Sequence, residues 1–249
     1  MKTLSIEIHY FSSITTNIST TDAFNVMSEI KELELFAQKY QEALPGGNPE
    51  QRFMFTNGVS GLTIRCQRDR ILMTQGVNPN SDSSEFKVFK DTLSQLCKIM
   101  NRFVVALETV LGKKQSFCRL AVVSRHIEQD KFKEFLSNLN NIAANNLPWA
   151  EHSSKELLFR TGHRFTFTTD DNNEIFNEIV LVNDGVIDMS TNGVSVSVTP
   201  CILVEIDINS IPENVSERFN IENIEPFINT ICERQHNTLS KIQGYVERA

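Results

Sequence analysis

Gln51-Arg52-Phe53-Met54-Phe55-Thr56 returns in this chain as His163-Arg164-Phe165-Thr166-Phe167-Thr168. Each copy stands at the same place in a similar order of elements. An apolar strand-like run and a helix-like stretch precede both, and a turn, more strand-like sequence and a long amphipathic pattern follow both. A five-residue match is weak alone, but agreement in serial position makes it a signal of internal duplication. Alternation along a strand puts Phe53 and Phe55 on one face, and likewise Phe165 and Phe167. Each pair is therefore expected beneath the long helix of its own half.

Working outward from the first copy, Leu4, Ile6, Ile8 and Tyr10 alternate and predict an opening strand. Asp22 can cap a helix whose apolar stripe runs through Phe24, Met27, Ile30, Leu33, Ala37 and Tyr40, with a stop at Pro45-Gly46-Gly47-Asn48-Pro49. Strands are expected at Arg52–Thr56, Leu62–Gln67 and Arg70–Gln75, with Asn57-Gly58 as a hairpin turn. From Glu85, the residues Phe89, Leu93, Leu96, Phe103 and Leu107 follow the 3.6-residue period of a long helix that ends at Gly112.

The second half opens with a strand over Phe117–Ile127 and a helix on Phe132, Phe135, Leu136, Leu139 and Ile142 that halts before Pro148. Strands follow at Glu156–Arg160 leading into Arg164–Thr168, then at Ile175–Val182, Val186–Ser190, Val194–Val198 and Cys201–Ile208. Asn183-Asp184-Gly185 and Asn192-Gly193 supply turns. A last helix runs from about Ile224 to Val246, with Pro226 in its first turn. The whole predicts an α+β protein of two similar lobes, residues 1–114 and 115–249. Tight turns make each sheet mainly antiparallel, with helices packed on one face.

Composition narrows the classes. The chain has 249 residues, 40% of them hydrophobic and 22% charged, enough for a well-buried core. Its 17 Phe against 3 Tyr and 1 Trp favour packing over a stacking platform. Five cysteines without a Cys-x-x-Cys pair predict buried thiols in a reducing cytosol. The first strand carries Glu7 and does not resemble a secretory signal, and no stretch is apolar enough to span a bilayer, so a cytoplasmic protein is expected. The net charge of −7 divides into +1 over residues 1–114 and −8 over residues 115–249. An acidic second half argues against that half gripping a phosphate backbone.

Three stretches resemble a sporadically distributed, functionally uncharacterised family of bacterial proteins of this size. They are Gly61-Leu62-Thr63-Ile64 with Asp69-Arg70-Ile71-Leu72, Cys118-Arg119-Leu120-Ala121-Val122-Val123-Ser124-Arg125, and Cys201-Ile202-Leu203-Val204-Glu205-Ile206-Asp207-Ile208. Ser124 stands where the family pattern has Asn. The resemblance implies a bacterial accessory protein from a defence or toxin-neutralising locus. It carries over no catalytic residue.

Motifs with defined chemistry are few. There is no G-x-G-x-x-G, no G-x-x-x-x-G-K-[ST] and no G-x-S-x-G, which sets aside nucleotide-driven motors and α/β-hydrolases. His9 and His126 hold comparable places in the first strand of each half, where a repeat-related pair could meet at a metal. Glu205 and Asp207 share a strand face and are weak metal candidates for a nuclease. Against them stands the plainer reading of a solvated sheet face. Acidic residues also cluster at Asp170, Asp171 and Glu174, where Asp170-Asp171-Asn172-Asn173 reads as a turn rather than a calcium loop.

Arg65, Arg68 and Arg70 form the one basic concentration. With Arg119 and Arg125, they are the candidate contact residues for a partner or ligand. The leading expectation is a non-enzymatic interaction protein, with a protein partner or a second copy of itself and no cofactor. A binder of a nucleotide-like anion in a cleft between the lobes is the alternative, and a metal-dependent nuclease follows it.

Overall fold

A computed structural model describes residues 1–12, 17–44, 46–78, 86–146, 158–168, 173–191 and 194–247. Along the chain run β1 (Lys2–Phe11), α1 (Thr20–Glu29), a short 3-10 turn (Lys31–Leu33), β2 (Phe36–Glu42), β3 (Glu50–Thr56), β4 (Leu62–Cys66), β5 (Arg70–Gly76) and α2 (Phe86–Leu111). The second half continues with β6 (Arg119–Glu128), α3 (Phe132–Asn146), β7 (Leu158–Thr168), β8 (Asn173–Thr191), β9 (Val194–Ser210) and α4 (Glu225–Glu247).

The described strands form one sheet in the order β2-β3-β4-β5-β1-β6-β9-β8-β7, antiparallel throughout. The α+β class and the antiparallel pairing follow the sequence reading, but the separation into two sheets does not. β1 and β6 pair along their length, from Lys2↔Ile127 to Phe11↔Arg119, so the halves join at a hydrogen-bonded seam. Outward from that seam the order is β1-β5-β4-β3-β2 on one side and β6-β9-β8-β7 on the other. The two Arg-Phe-x-Phe-Thr strands, β3 and β7, thus hold corresponding places.

Two local expectations are corrected. The first helix was expected to reach Tyr40 but stops at Glu29. Its start is fixed by a Ser19/Asp22 capping box. Its end comes where Ile30 leaves helical geometry and Glu34 takes a left-handed φ of 50°. Phe36–Glu42 then pairs with β3 from Phe36↔Thr56 to Glu42↔Glu50. A full ladder on β3 outweighs the weak helical period carried by Ala37 and Tyr40.

The second correction concerns Asn183-Asp184-Gly185, which is not a turn. It lies within β8, and Gly185 stands opposite Cys201. A Cβ on Gly185 would come within 2.8 Å of Leu203 Cδ1. Glycine is there for close cross-strand packing rather than for chain reversal. The four strand segments expected between residues 175 and 208 are accordingly two long strands, β8 and β9.

The core lies between one sheet face and the helices. Ile6, Ile8 and Tyr10 of β1, Leu120 and Val122 of β6, and Ile206 and Ile208 of β9 meet Phe89, Leu93 and Phe103 of α2 and Ile228, Ile231 and Leu239 of α4. Val26 of α1 and Phe135 of α3 join the same core. Each such side chain contributes on the order of 1.5–3 kcal/mol through burial.

One phenylalanine of each repeated pair meets a long helix, and only the first pair is buried as expected. Phe55 packs edge-on against Phe103 of α2, with ring centroids 5.0 Å apart, and Phe167 against Phe227 of α4 at 5.4 Å. The helix partner comes from the second half of α2 in one case and the first turn of α4 in the other. Burial differs as well, because Phe53 and Phe55 are buried whereas Phe165 and Phe167 are only partly so.

Candidate partner-binding face

The other face of the sheet, here the open face, carries the residues of β1, β6 and β9 that alternate with the core set, among them His9, Phe11, Arg119, Arg125, Glu205 and Asp207. Residues directly opposite across antiparallel strands share a face. Phe11 pairs with Arg70 on one side and Arg119 on the other. Their guanidiniums lie 4.8 and 4.6 Å from its ring centroid, so the ring is held between two cations. His9 stacks on the same ring at 5.7 Å with an interplanar angle of 9°. Arg119 Nε is buried without a hydrogen-bond partner.

Arg65 and Arg70 also line a groove of about 620 Å³ at the ends of β2 to β5, and Arg68 reaches it from the β4–β5 turn. Tyr40, Glu42, Met54 and Gln67 complete its open-face lining. Glu42 accepts a hydrogen bond from the Arg68 amide at 3.0 Å and pairs with Arg52 Nε at 3.3 Å. Tyr40 Oη and Gln67 Oε1 are buried and unpartnered. Burial pushes the Tyr40 phenol up to about 12, so it stays a donor at neutral pH. A buried polar atom left unbonded costs about 1–3 kcal/mol, which favours a group that can reach both atoms.

The five candidate arginines therefore divide. Arg65, Arg68 and Arg70 come together at the groove, and Arg119 joins Arg70 around Phe11. Arg125 is on the same face but is held by Glu7 at 2.5 Å and by Glu205 at 2.7 Å. It ties β1, β6 and β9 together and has little left to offer a ligand. A hydrogen bond from His9, together with Arg125, takes the Glu7 carboxyl down to about 2 against the opposing effect of burial.

Glu205 and Asp207 do share a face, as alternation required. Glu205 is engaged by Arg125, and Asp207 accepts from Asn209 Nδ2 at 2.9 Å. Burial raises the Asp207 pKa, which the Asn209 hydrogen bond partly offsets. Among the described residues no three His, Cys, Asp or Glu side chains are grouped to hold a metal. His9 and His126 lie on opposite faces, since His9 stacks with Phe11 while His126 is buried against Phe89 of α2. Asp170 and Asp171 lie outside the described residues. Glu174 is bound by Arg218 through two hydrogen bonds of 2.6 and 2.7 Å.

The cysteines are poor nucleophiles in this setting. Burial pushes the Cys66 thiol up to about 12, and the hydrogen bond shared with Cys232 together with burial raises Cys97 well above its ordinary range. Phe11, Tyr40 and Gln67 escaped the sequence reading. Nothing in a single chain marks a terminal strand phenylalanine as the centre of a cation stack, because register alone sets its neighbours.

No family model matches the chain, and no curated protein is significantly similar to it. No helix among the described residues is long and apolar enough to cross a membrane. Guanidiniums, a phenol, an amide and an aromatic ring are the chemistry this face presents. Such a set recognises anions by charge-assisted hydrogen bonds.

Proposed function

We propose that this protein is a non-enzymatic interaction protein that takes an acidic protein surface on the open face of its sheet. The observation that carries the reading is the convergence of Arg65, Arg68 and Arg70 on one groove, with Arg119 beside them across Phe11. Complementary charge of this kind governs partner choice and association rate. Its setting in a bacterial defence or toxin-neutralising locus belongs to the same proposal and rests on the family resemblance alone. Descent of the two halves from one duplicated unit is also part of the proposal, and the repeated Arg-Phe-x-Phe-Thr stretch and the corresponding places of β3 and β7 support it.

The test is affinity isolation of the partner from the source organism, then titration at rising ionic strength with the wild-type chain and with Arg65→Glu/Arg70→Glu. Affinity should fall with salt and fall again with the double reversal, the circular dichroism spectrum remaining unchanged. An affinity indifferent to both would overturn the assignment.

A second reading, capture of a small anion such as a nucleotide, draws on the unpartnered Tyr40 Oη and Gln67 Oε1 in the same groove. A thermal-shift screen with phosphates and nucleotides separates the two. A shift abolished by Arg65→Glu/Arg70→Glu favours the small anion, and a flat screen favours the protein partner.

A further inference from the structure

β7 lies at one edge of the sheet and pairs only with β8 among the described residues. It runs for 11 residues without a proline, a lysine or a carboxylate. A long edge of this kind offers a row of backbone donors and acceptors to an incoming strand. The opposite edge, β2, is shorter, at 7 residues, and carries both Lys39 and Glu42.

The two faces of β7 differ in chemistry. Arg160 and Arg164, opposite Leu181 and Asn177, point to the open face. Phe159, His163, Phe165 and Phe167, opposite Val182, Glu178, Phe176 and Glu174, point to the helix face. Phe159 is 48% exposed there. A groove of about 560 Å³ opens beside Phe165 and Phe167, between β7 and α4. Within it Glu178 accepts from Arg234 Nε at 2.5 Å and lies 2.9 Å from His163 Nε2, and Glu233 and Lys241 also line it. Phe165, Phe167 and Val180, all partly buried, are the apolar part of its lining.

The first half of the chain shows what sits at the corresponding place. There β2 lies along β3, and its Glu42 reaches Arg52, the counterpart of Arg164 in the repeated stretch. With β2 in position, Phe53 and Phe55 are 9% and 0% exposed, whereas Phe165 and Phe167 stay partly open.

We propose that the outer edge of β7 receives an extended acidic polypeptide segment as a tenth strand, antiparallel to β7. Its carboxylates lie beside Arg160 and Arg164 on the open face, and its alternate apolar side chains cover Phe159, Phe165 and the groove on the helix face. Backbone pairing supplies the affinity, and the alternation supplies the specificity. A second copy of β7 is the poorer occupant, because self-pairing gathers Arg160 and Arg164 of both strands on one face, where only Glu213, 2.7 Å from Arg164, offsets them. The inference shares with the open-face reading only the sign of the partner's charge.

The probe is a capped, fluorescein-labelled octapeptide of alternating Glu and Val, titrated into the full-length protein by fluorescence anisotropy. Saturable binding is expected, with none for the Lys–Val counterpart. An added strand turns alternate amides toward β7. N-methylation of one alternate series, either the Val or the Glu residues, should therefore weaken binding about tenfold or more, while the other series binds normally. Arg160→Glu/Arg164→Glu should weaken it about tenfold, whereas Arg65→Glu/Arg70→Glu should leave it unchanged, so that this inference and the groove assignment fail separately. Equal binding by both N-methyl series, equal binding by the Lys–Val peptide, or a dimer in light scattering that Arg160→Glu/Arg164→Glu dissociates would each overturn the proposal.

Discussion

Cys97 Sγ and Cys232 Sγ lie 3.7 Å apart, one on each long helix, and join the two halves of the molecule above the sheet. Both thiols are buried, and the hydrogen bond shared with Cys232 together with burial keeps Cys97 protonated at neutral pH. A maleimide should therefore label native Cys97, Cys232 and Cys66 slowly, with the partly exposed Cys118 reacting first. Mass spectrometry over a time course gives the order. Rapid modification of Cys97 or Cys232 would show that the α2–α4 contact is open in solution.

Phe55 and Phe167 make comparable contacts, but their halves enclose them differently. Phe55→Ala should cost about 3–5 kcal/mol by urea denaturation. Phe165→Ala should cost less, since Phe165 is only partly buried and its neighbours can relax into the groove beside it. Equal losses at the two sites would mean that the β7 edge is covered in the free protein.

His126 is buried between Thr3 and Ser124, and burial depresses its pKa to about 3 from an ordinary 6.5. The unfolded chain then binds a proton that the folded chain does not. Its contribution to stability is complete above about pH 6.5 and is lost as the pH falls from there toward 3. Glu7, held at about 2 against 4.5, adds a loss in the lower window from 4.5 to 2. Urea midpoints measured from pH 7 to pH 4 should decline in the wild type. His126→Gln should remove the upper part of that slope, and an unchanged slope would place the titration elsewhere.

Arg218 and Glu174 form a largely buried pair near the start of β8, and the same guanidinium donates to the Asn214 and Ser216 carbonyls and lies 4.7 Å from the Phe219 ring. Removing one partner leaves a buried charge uncompensated. Glu174→Ala should therefore destabilise by ~3–5 kcal/mol, and the double variant Glu174→Ala/Arg218→Met by less than Glu174→Ala alone. Chemical denaturation of the three proteins measures the difference.

Local periodicity by itself determined much of this protein. The alternation of Ile6, Ile8 and Tyr10 fixed the buried face of β1, and the 3.6-residue spacing of Phe89, Leu93, Leu96 and Phe103 fixed the inward stripe of α2. The spacing of Arg52-Phe53-Met54-Phe55-Thr56 and its second copy fixed which side chains meet the helices. These properties depend on neighbours a few residues apart, so they survive without knowledge of the rest of the chain.

Only the tertiary structure decided the joining of the halves through β1 and β6, the conversion of Phe36–Glu42 into a strand, and the meeting of Phe11 with Arg70 and Arg119. Each depends on pairing partners distant in sequence, and a shift of one residue in register would turn every one of those side chains to the other face. The same register consumed Arg125 and Glu205 in an ion pair, separated His9 from His126, and left Arg65, Arg68 and Arg70 together at one groove. Residue type nominated these side chains, but long-range strand pairing chose among them, because the energy that sets register belongs to the whole sheet rather than to any one strand.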